Sequence, residues 1–94
     1  MEIEALSGVC EGYLKRLESI PELKIVPVND RERLIKTEHG DAELYISYGS
    51  GNAVLTICGS PLTTSYLLQL FVNYHKRVRS RPISQFQPYR ELEL

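Results

Sequence analysis

The first twenty residues carry apolar side chains at helical spacing. These positions fall on one stripe of a helix and are Ile3, Leu6, Val9, Cys10, Tyr13, Leu14, Leu17 and Ile20. Pro21 follows the stripe, and a proline ring cannot continue a helix. The pattern therefore predicts a first helix over residues 3–20.

Residues 22–58 change to short runs rich in Val, Ile, Leu and Tyr, separated by turn-forming clusters. This pattern is typical of an antiparallel meander, with strands predicted over residues 23–28, 33–37, 43–48 and 53–58. The third run alternates most regularly, with one face formed by Leu44, Ile46 and Tyr48 and the other by Glu43, Tyr45 and Ser47. Pro27 has no backbone N–H to donate, so the first strand is expected at an edge of the sheet.

A second helix is predicted to begin after Gly59. Ser60 can cap the free backbone amides, and Pro61 fits the first helical turn. Pro82 ends the helix at about residue 80. Its main apolar face comprises Leu67, Leu70, Phe71, Tyr74 and Val78.

These elements predict the α+β class: a two-layer sandwich of order αββββα, in which both helices cover one face of an antiparallel meander sheet. We expect a single domain over residues 1–81 and an extended tail over residues 82–94. The tail places Ile83, Phe86, Tyr89 and Leu92 three residues apart, as in a polyproline-type strand with one apolar edge. Docking on its own domain is favoured over docking on a partner, because a free apolar tail is a liability in water.

Composition and charge agree with a folded globular domain. Hydrophobic residues make up 43% of the 94 residues and charged residues 24%, which is far from the composition of disordered chains. The net charge of −1 is unevenly distributed: residues 1–43 hold ten acids and six bases, whereas residues 44–94 hold two acids and five bases. The molecule as a whole therefore exerts no strong attraction on nucleic acid or on anionic membranes.

The two cysteines, Cys10 and Cys58, each lie among apolar residues, as buried free thiols of a reducing compartment do. No apolar run approaches the ~18 residues of a membrane span, and the amino terminus lacks the pattern of a signal peptide. A cytoplasmic or nuclear location is the expectation.

Residues that could carry catalysis form no convincing group. The sequence shows no nucleophile with its base, no paired acids and no metal-ligand spacing. His39 is expected in a solvated turn, and His75 at the surface of the second helix's basic end. The glycine-rich stretch 49–52 leads into a strand, so it is read as a hairpin turn and not as a phosphate loop. We expect no enzyme activity, cofactor, metal or small-molecule substrate.

The leading hypothesis is a non-enzymatic protein–protein interaction module, such as an adaptor, an assembly factor or a subunit, that self-associates as a homodimer or binds a protein partner. Surplus apolar surface on the second helix, the aromatic tail and two helix-interior glycines support it. Each glycine costs ~1 kcal/mol relative to alanine, so close approach of a helix, from the same chain or its copy, is weighed evenly against a tolerated weak helix. The candidate partner-binding residues are Leu68, Val72, Ile83, Phe86, Tyr89, Gly8 and Gly12.

The alternative hypothesis is nucleic-acid binding by the basic end of the second helix. Its candidate residues are Lys76, Arg77, Arg79 and Arg81, which could contact phosphates. Cations in the last turn of a helix also stabilise its negative end without any ligand. A solvated helix end is therefore ranked first, an acidic protein partner second and nucleic acid third.

Overall fold

The computed structural model describes residues 1–79 and 90–92. Its strands are β1 (Glu2–Leu6), β2 (Lys24–Asn29), β3 (Glu32–Thr37), β4 (Gly40–Tyr48), β5 (Asn52–Gly59) and β6 (Arg90–Leu92), and its helices are α1 (Ser7–Glu18) and α2 (Pro61–Arg79). The strands form one sheet of order β2-β3-β4-β5-β1-β6, and all neighbouring strands are antiparallel. The predicted α+β class and its antiparallel meander are confirmed.

One face of the sheet carries the hydrophobic core. The buried positions alternate along the strands, as the pleat requires, and both helices contact this face. The core side chains of the sheet are Ile3, Ala5, Ile35, Ala42, Leu44, Ile46, Ala53, Leu55 and Ile57. The two-layer arrangement with both helices on one face is as predicted.

The segment Glu2–Leu6 forms a strand and not the first turns of a helix. It pairs with β5, from Glu2 opposite Thr56 to Leu6 opposite Asn52. The spacing of Ile3 and Leu6 fits a helix, whereas Ile3 and Ala5, two residues apart, fit the buried face of a strand, and the pairing with β5 decides between them. The predicted order αββββα therefore gains a strand in front of the first helix, which begins at Ser7.

The four strands predicted between the helices all form, with boundaries that differ by three residues or fewer. β2 lies at an edge of the sheet, as Pro27 indicated. Its pairing with β3 changes register between Pro27 and Asn29, which marks a β-bulge. A proline and a bulge both hinder the addition of another strand to this edge.

The start of α2 is fixed to the turn between β3 and β4. The Thr63 backbone N–H donates to Ser60 Oγ at 3.3 Å, which confirms Ser60 as the cap. Thr63 is fully buried, and its Oγ1 donates to the His39 carbonyl oxygen at 3.0 Å. Gly40 has a φ of +125° and leaves room for that hydroxyl, because a Cβ there would lie 3.1 Å from Thr63 Oγ1.

Tyr13 joins the two helices inside the core. Its side chain is fully buried, and its hydroxyl donates to the Leu67 carbonyl oxygen of α2 at 2.8 Å. The ring meets Phe71 edge to face, with centroids 5.0 Å apart. Burial raises the pKa of Tyr13 well above its ordinary value of 10.0, so the phenol keeps the proton that it donates.

Replacing Tyr13 by Phe should lower the free energy of unfolding by about 1 kcal/mol, because a buried carbonyl loses a hydrogen-bond donor. Tyr45→Phe is the matched control: Tyr45 is exposed, and its hydroxyl donates to the carboxylate of Glu43, which is itself exposed. Its effect should stay within about 0.5 kcal/mol. Urea unfolding measures both values, and equal losses in the two variants would contradict a structural role for the buried bond.

Candidate interaction surface

The face of the sheet opposite the helices is the candidate functional surface, and we call it the outer face. Residues that pair directly across antiparallel strands lie on the same face. The outer face can therefore be traced from the register, starting at exposed positions between the buried ones. None of the described helices packs on it.

A row of four cross-strand neighbours, three of them apolar and one the carboxylate Glu43, crosses the outer face from the β2 edge, and we call it the apolar row. Val26 pairs with Leu34, Leu34 with Glu43, and Glu43 with Cys58. Val26 is 36% exposed, and Cys58 is also exposed. An open depression of about 340 Å³ lies along this row, between Leu34 on one side and Cys58 on the other.

Tyr45 lies beside this row and adds an aromatic ring to the surface. It is 37% exposed, pairs with Thr56 of β5 and donates its hydroxyl to Glu43 Oε2 at 3.1 Å. The hydrogen bond to Glu43 raises the pKa of Tyr45 above its ordinary value of 10.0. An exposed tyrosine supplies both apolar area and a polar tip, which protein interfaces use often.

Carboxylates outnumber amines on the outer face. The register places three basic residues there: Lys24 and Lys36, which pair with each other near the β2 edge, and Arg90 of β6, which pairs with Glu4. Five acidic residues share the face, and they are Glu2, Glu4, Glu32, Asp41 and Glu43. The outer face thus combines an apolar row and an aromatic ring with a net negative charge.

The candidate residues on the helices lie on the other layer. Leu68 and Val72 are half-buried, and Leu68 packs against the core. A Cβ on Gly12 would overlap the hydroxyl of Tyr74 in α2, whereas a Cβ on Gly8 would meet nothing within 4 Å. The close approach considered for the glycines therefore occurs at Gly12, with α2 of the same chain.

Of the tail, the structure describes only residues 90–92, which form β6. β6 pairs with β1, from Glu2 opposite Leu92 to Glu4 opposite Arg90. The remaining tail candidates lie outside the described residues, and they are Ile83, Phe86 and Tyr89. Docking of the tail as a whole stays a prediction.

The basic end of α2 is partly described. Lys76 and Arg77 are exposed, Arg79 is the last residue of the helix, and Arg81 lies outside the described residues. Arg77 shares a cavity of about 100 Å³ with Arg16, from the last turn of α1. Sequence reasoning missed Arg16, because no local pattern connects it with a residue so distant in the chain.

Two surface predictions for histidines need correction. His75 is only 2% exposed, and its ring stacks on Phe71 at a centroid distance of 6.1 Å. The reason is helical spacing: Leu67, Phe71 and His75 follow one another at four-residue steps on the buried face of α2. His39 is half-buried. The centroids of the His39 and Tyr66 rings lie 4.9 Å apart, and His39 Nε2 lies 3.6 Å from Glu38 Oε1.

The cysteines differ from each other, although both were predicted to be buried. Cys10 lies on the buried face of α1, and burial raises the pKa of its thiol from 9.0 to about 11. Cys58 is exposed, because strand alternation buries Ile57 and turns the next residue to the outer face. The prediction for Cys58 was therefore wrong.

Within residues 1–79 and 90–92, no cluster of three or more His, Cys, Asp or Glu side chains is placed to hold a metal ion. Neither described helix has the length and apolar character needed to cross a membrane. No protein-family model, curated protein or solved structure matches the chain.

The two glycines of α1 should respond differently to alanine. Gly8→Ala should raise the free energy of unfolding by up to about 1 kcal/mol, because a helical glycine is replaced where the space is open. Gly12→Ala should raise the free energy of unfolding by a smaller amount or lower it, because the Tyr74 side chain must move. Urea unfolding of both variants checks this difference, and equal gains would show that Gly12 is not needed for the helix contact.

Proposed function

We propose that this chain is a protein-interaction module that binds a basic segment of a partner protein on the outer face of its sheet. The observation that carries the proposal is the character of that face: an apolar row, an exposed tyrosine and an excess of carboxylates lie together with no described element packed on them. The core on the opposite face is complete without any of these side chains.

The outer face is large enough for a small interface. Six strands at spacings of ~4.8 Å give a width of ~24 Å, and β1 to β5, with five to nine residues each, extend for ~17–30 Å. Stable interfaces bury ~800 Å² on each partner, and a twisted surface of this width and length can supply most of that area. The apolar members of the row help to exclude water around Glu43, and the other carboxylates share the face with the row.

Charge selects the kind of partner. Five carboxylates against three basic residues repel acidic proteins and nucleic acid from the outer face and attract lysine and arginine side chains. Glu43 is the central position, because it lies between Leu34 and Cys58 in the row and accepts the Tyr45 hydrogen bond. A basic side chain bound there would contact a carboxylate and apolar atoms at once.

Binding to the face is favoured over strand addition at the β2 edge. Pro27 lacks one of the backbone donors that an added strand would need, and the bulge between Pro27 and Asn29 disturbs the spacing of the others. We therefore place the partner across the strands and not alongside β2.

The test is selection of ligands from a random peptide library displayed on phage, with affinities of the enriched peptides measured by fluorescence anisotropy. The enriched peptides should carry net positive charge. Glu43→Lys should weaken their binding by at least about tenfold, the loss expected when one charged contact is replaced by repulsion. Glu22→Lys is the matched control, because it makes the same charge change at an exposed turn between α1 and β2.

Enriched peptides without a basic bias would contradict the proposal, and so would equal losses in Glu43→Lys and Glu22→Lys. Light scattering over a range of concentrations measures the self-association expected from the sequence. A dimer abolished by Glu43→Lys would identify a second copy as the basic partner, through the end of its α2. A monomer at all concentrations would assign the face to a different protein.

Nucleic-acid binding at the basic helix ends is a second candidate, which the shared cavity of Arg16 and Arg77 favours. The affinity of nucleic-acid binding should depend on salt concentration, because contacts to phosphates release counterions. Affinity for a generic DNA or RNA duplex should then fall steeply with ionic strength, and Arg77→Glu should abolish it. Duplex binding that is absent at low salt would remove this candidate.

A further inference from the structure

A small cavity lies where the carboxyl-terminal halves of the two helices meet. It is lined by Arg16, Ile20, Leu70, Asn73, Tyr74 and Arg77 and has a volume of about 100 Å³. This cavity is on the helical layer and is separate from the outer face. We propose that it binds a small phosphate group, either free phosphate or the phosphate of a small monoester.

The charge of the lining points to an anion. Two guanidinium groups, one from each helix, line the same cavity, and none of its described lining residues is acidic. A guanidinium has five N–H donors in a planar fork, which suits the paired oxygens of a phosphate. Arg16 Nη1 donates a hydrogen bond to Ser19 Oγ at 3.3 Å, which uses one of the five N–H groups of this side chain.

Neutral donors and apolar walls complete the site. The Asn73 Oδ1 accepts a hydrogen bond from Gln69 Nε2 at 3.0 Å, so the carbonyl end of that amide is occupied and its NH₂ end is the group left to donate. Ile20 and Leu70 supply apolar walls, which reduce competition from water. Tyr74 is held against Gly12 of α1, so the cavity depends on the close helix contact.

The volume selects a small ligand. A volume of about 100 Å³ accommodates a phosphate group. The helix ends contribute partial negative charge from their carbonyl groups, which opposes an anion. Both arginines should therefore be required, and neither should suffice alone.

The test is an NMR titration of the full chain with inorganic phosphate, and in a second arm with glycerol 3-phosphate, at constant ionic strength. The backbone resonances of Asn73 and Tyr74 and the side-chain Nε–Hε signals of the two arginines should shift saturably. Saturation by inorganic phosphate alone assigns free phosphate as the ligand, and tighter binding of the ester assigns a monoester. Acetate at the same concentration should shift these signals much less, because it carries a single charge.

Arg16→Gln and Arg77→Gln should each weaken binding by at least about tenfold, the loss of one charge-assisted hydrogen bond. Lys15→Gln and Lys76→Gln are the matched controls, because these exposed cations are the chain neighbours of the two arginines and do not line the cavity. The controls should change the affinity by less than about twofold. All four variants replace exposed side chains, so each is expected to fold, and unchanged amide spectra away from the cavity verify this.

Shifts that rise linearly without saturation would overturn the proposal and identify an adventitious ion only. Equal losses in the arginine and lysine variants would also overturn it, because diffuse charge would then account for binding. Tight, salt-sensitive binding of a duplex with those equal losses would replace the phosphate site with an extended nucleic-acid surface. The outcome is independent of the peptide experiment, since no residue of the outer face lines the cavity.

Discussion

The hydrogen bond from Tyr13 to the Leu67 carbonyl crosses the core and joins α1 to α2 above the sheet. Gly12, the residue beside Tyr13, allows Tyr74 of α2 to lie against α1. Because the two described helices are held to each other, both cover the same face of the sheet. Within the described residues, the outer face without a helix and the cavity between the helix ends both follow from this one arrangement.

Much of the fold could be predicted from the sequence, because its signals are local. Pro27 indicated an edge strand, Ser60 and Pro61 marked a helix start, and the alternation around Leu44 and Ile46 identified the buried face of β4. β1 could not be recognised in this way. Ile3 and Leu6 have helical spacing, Ile3 and Ala5 have strand spacing, and only the pairing with β5, about fifty residues later in the chain, decides between the two.

The candidate surfaces were less accessible to sequence reasoning. Alternation alone placed Glu43 and Tyr45 on one face, but the neighbours of Glu43 depend on the register of three strands. Arg16 and Arg77 meet only because two helices cross the sheet together, and neither carries a motif. The predictions from α2 considered its surplus apolar surface, and part of that surface is already used inside the molecule, because Leu68 packs against the core.

The position of β1 between β5 and β6 also has a consequence for the folding pathway. β2 to β5 are joined by short turns and can pair in sequence order, which is fast because each loop to be closed is short. β1 precedes them all in the chain, yet its place in the sheet exists only once β5 has formed. The slow step in folding is therefore expected to be the pairing of β1 with β5, which closes the long loop between these two strands.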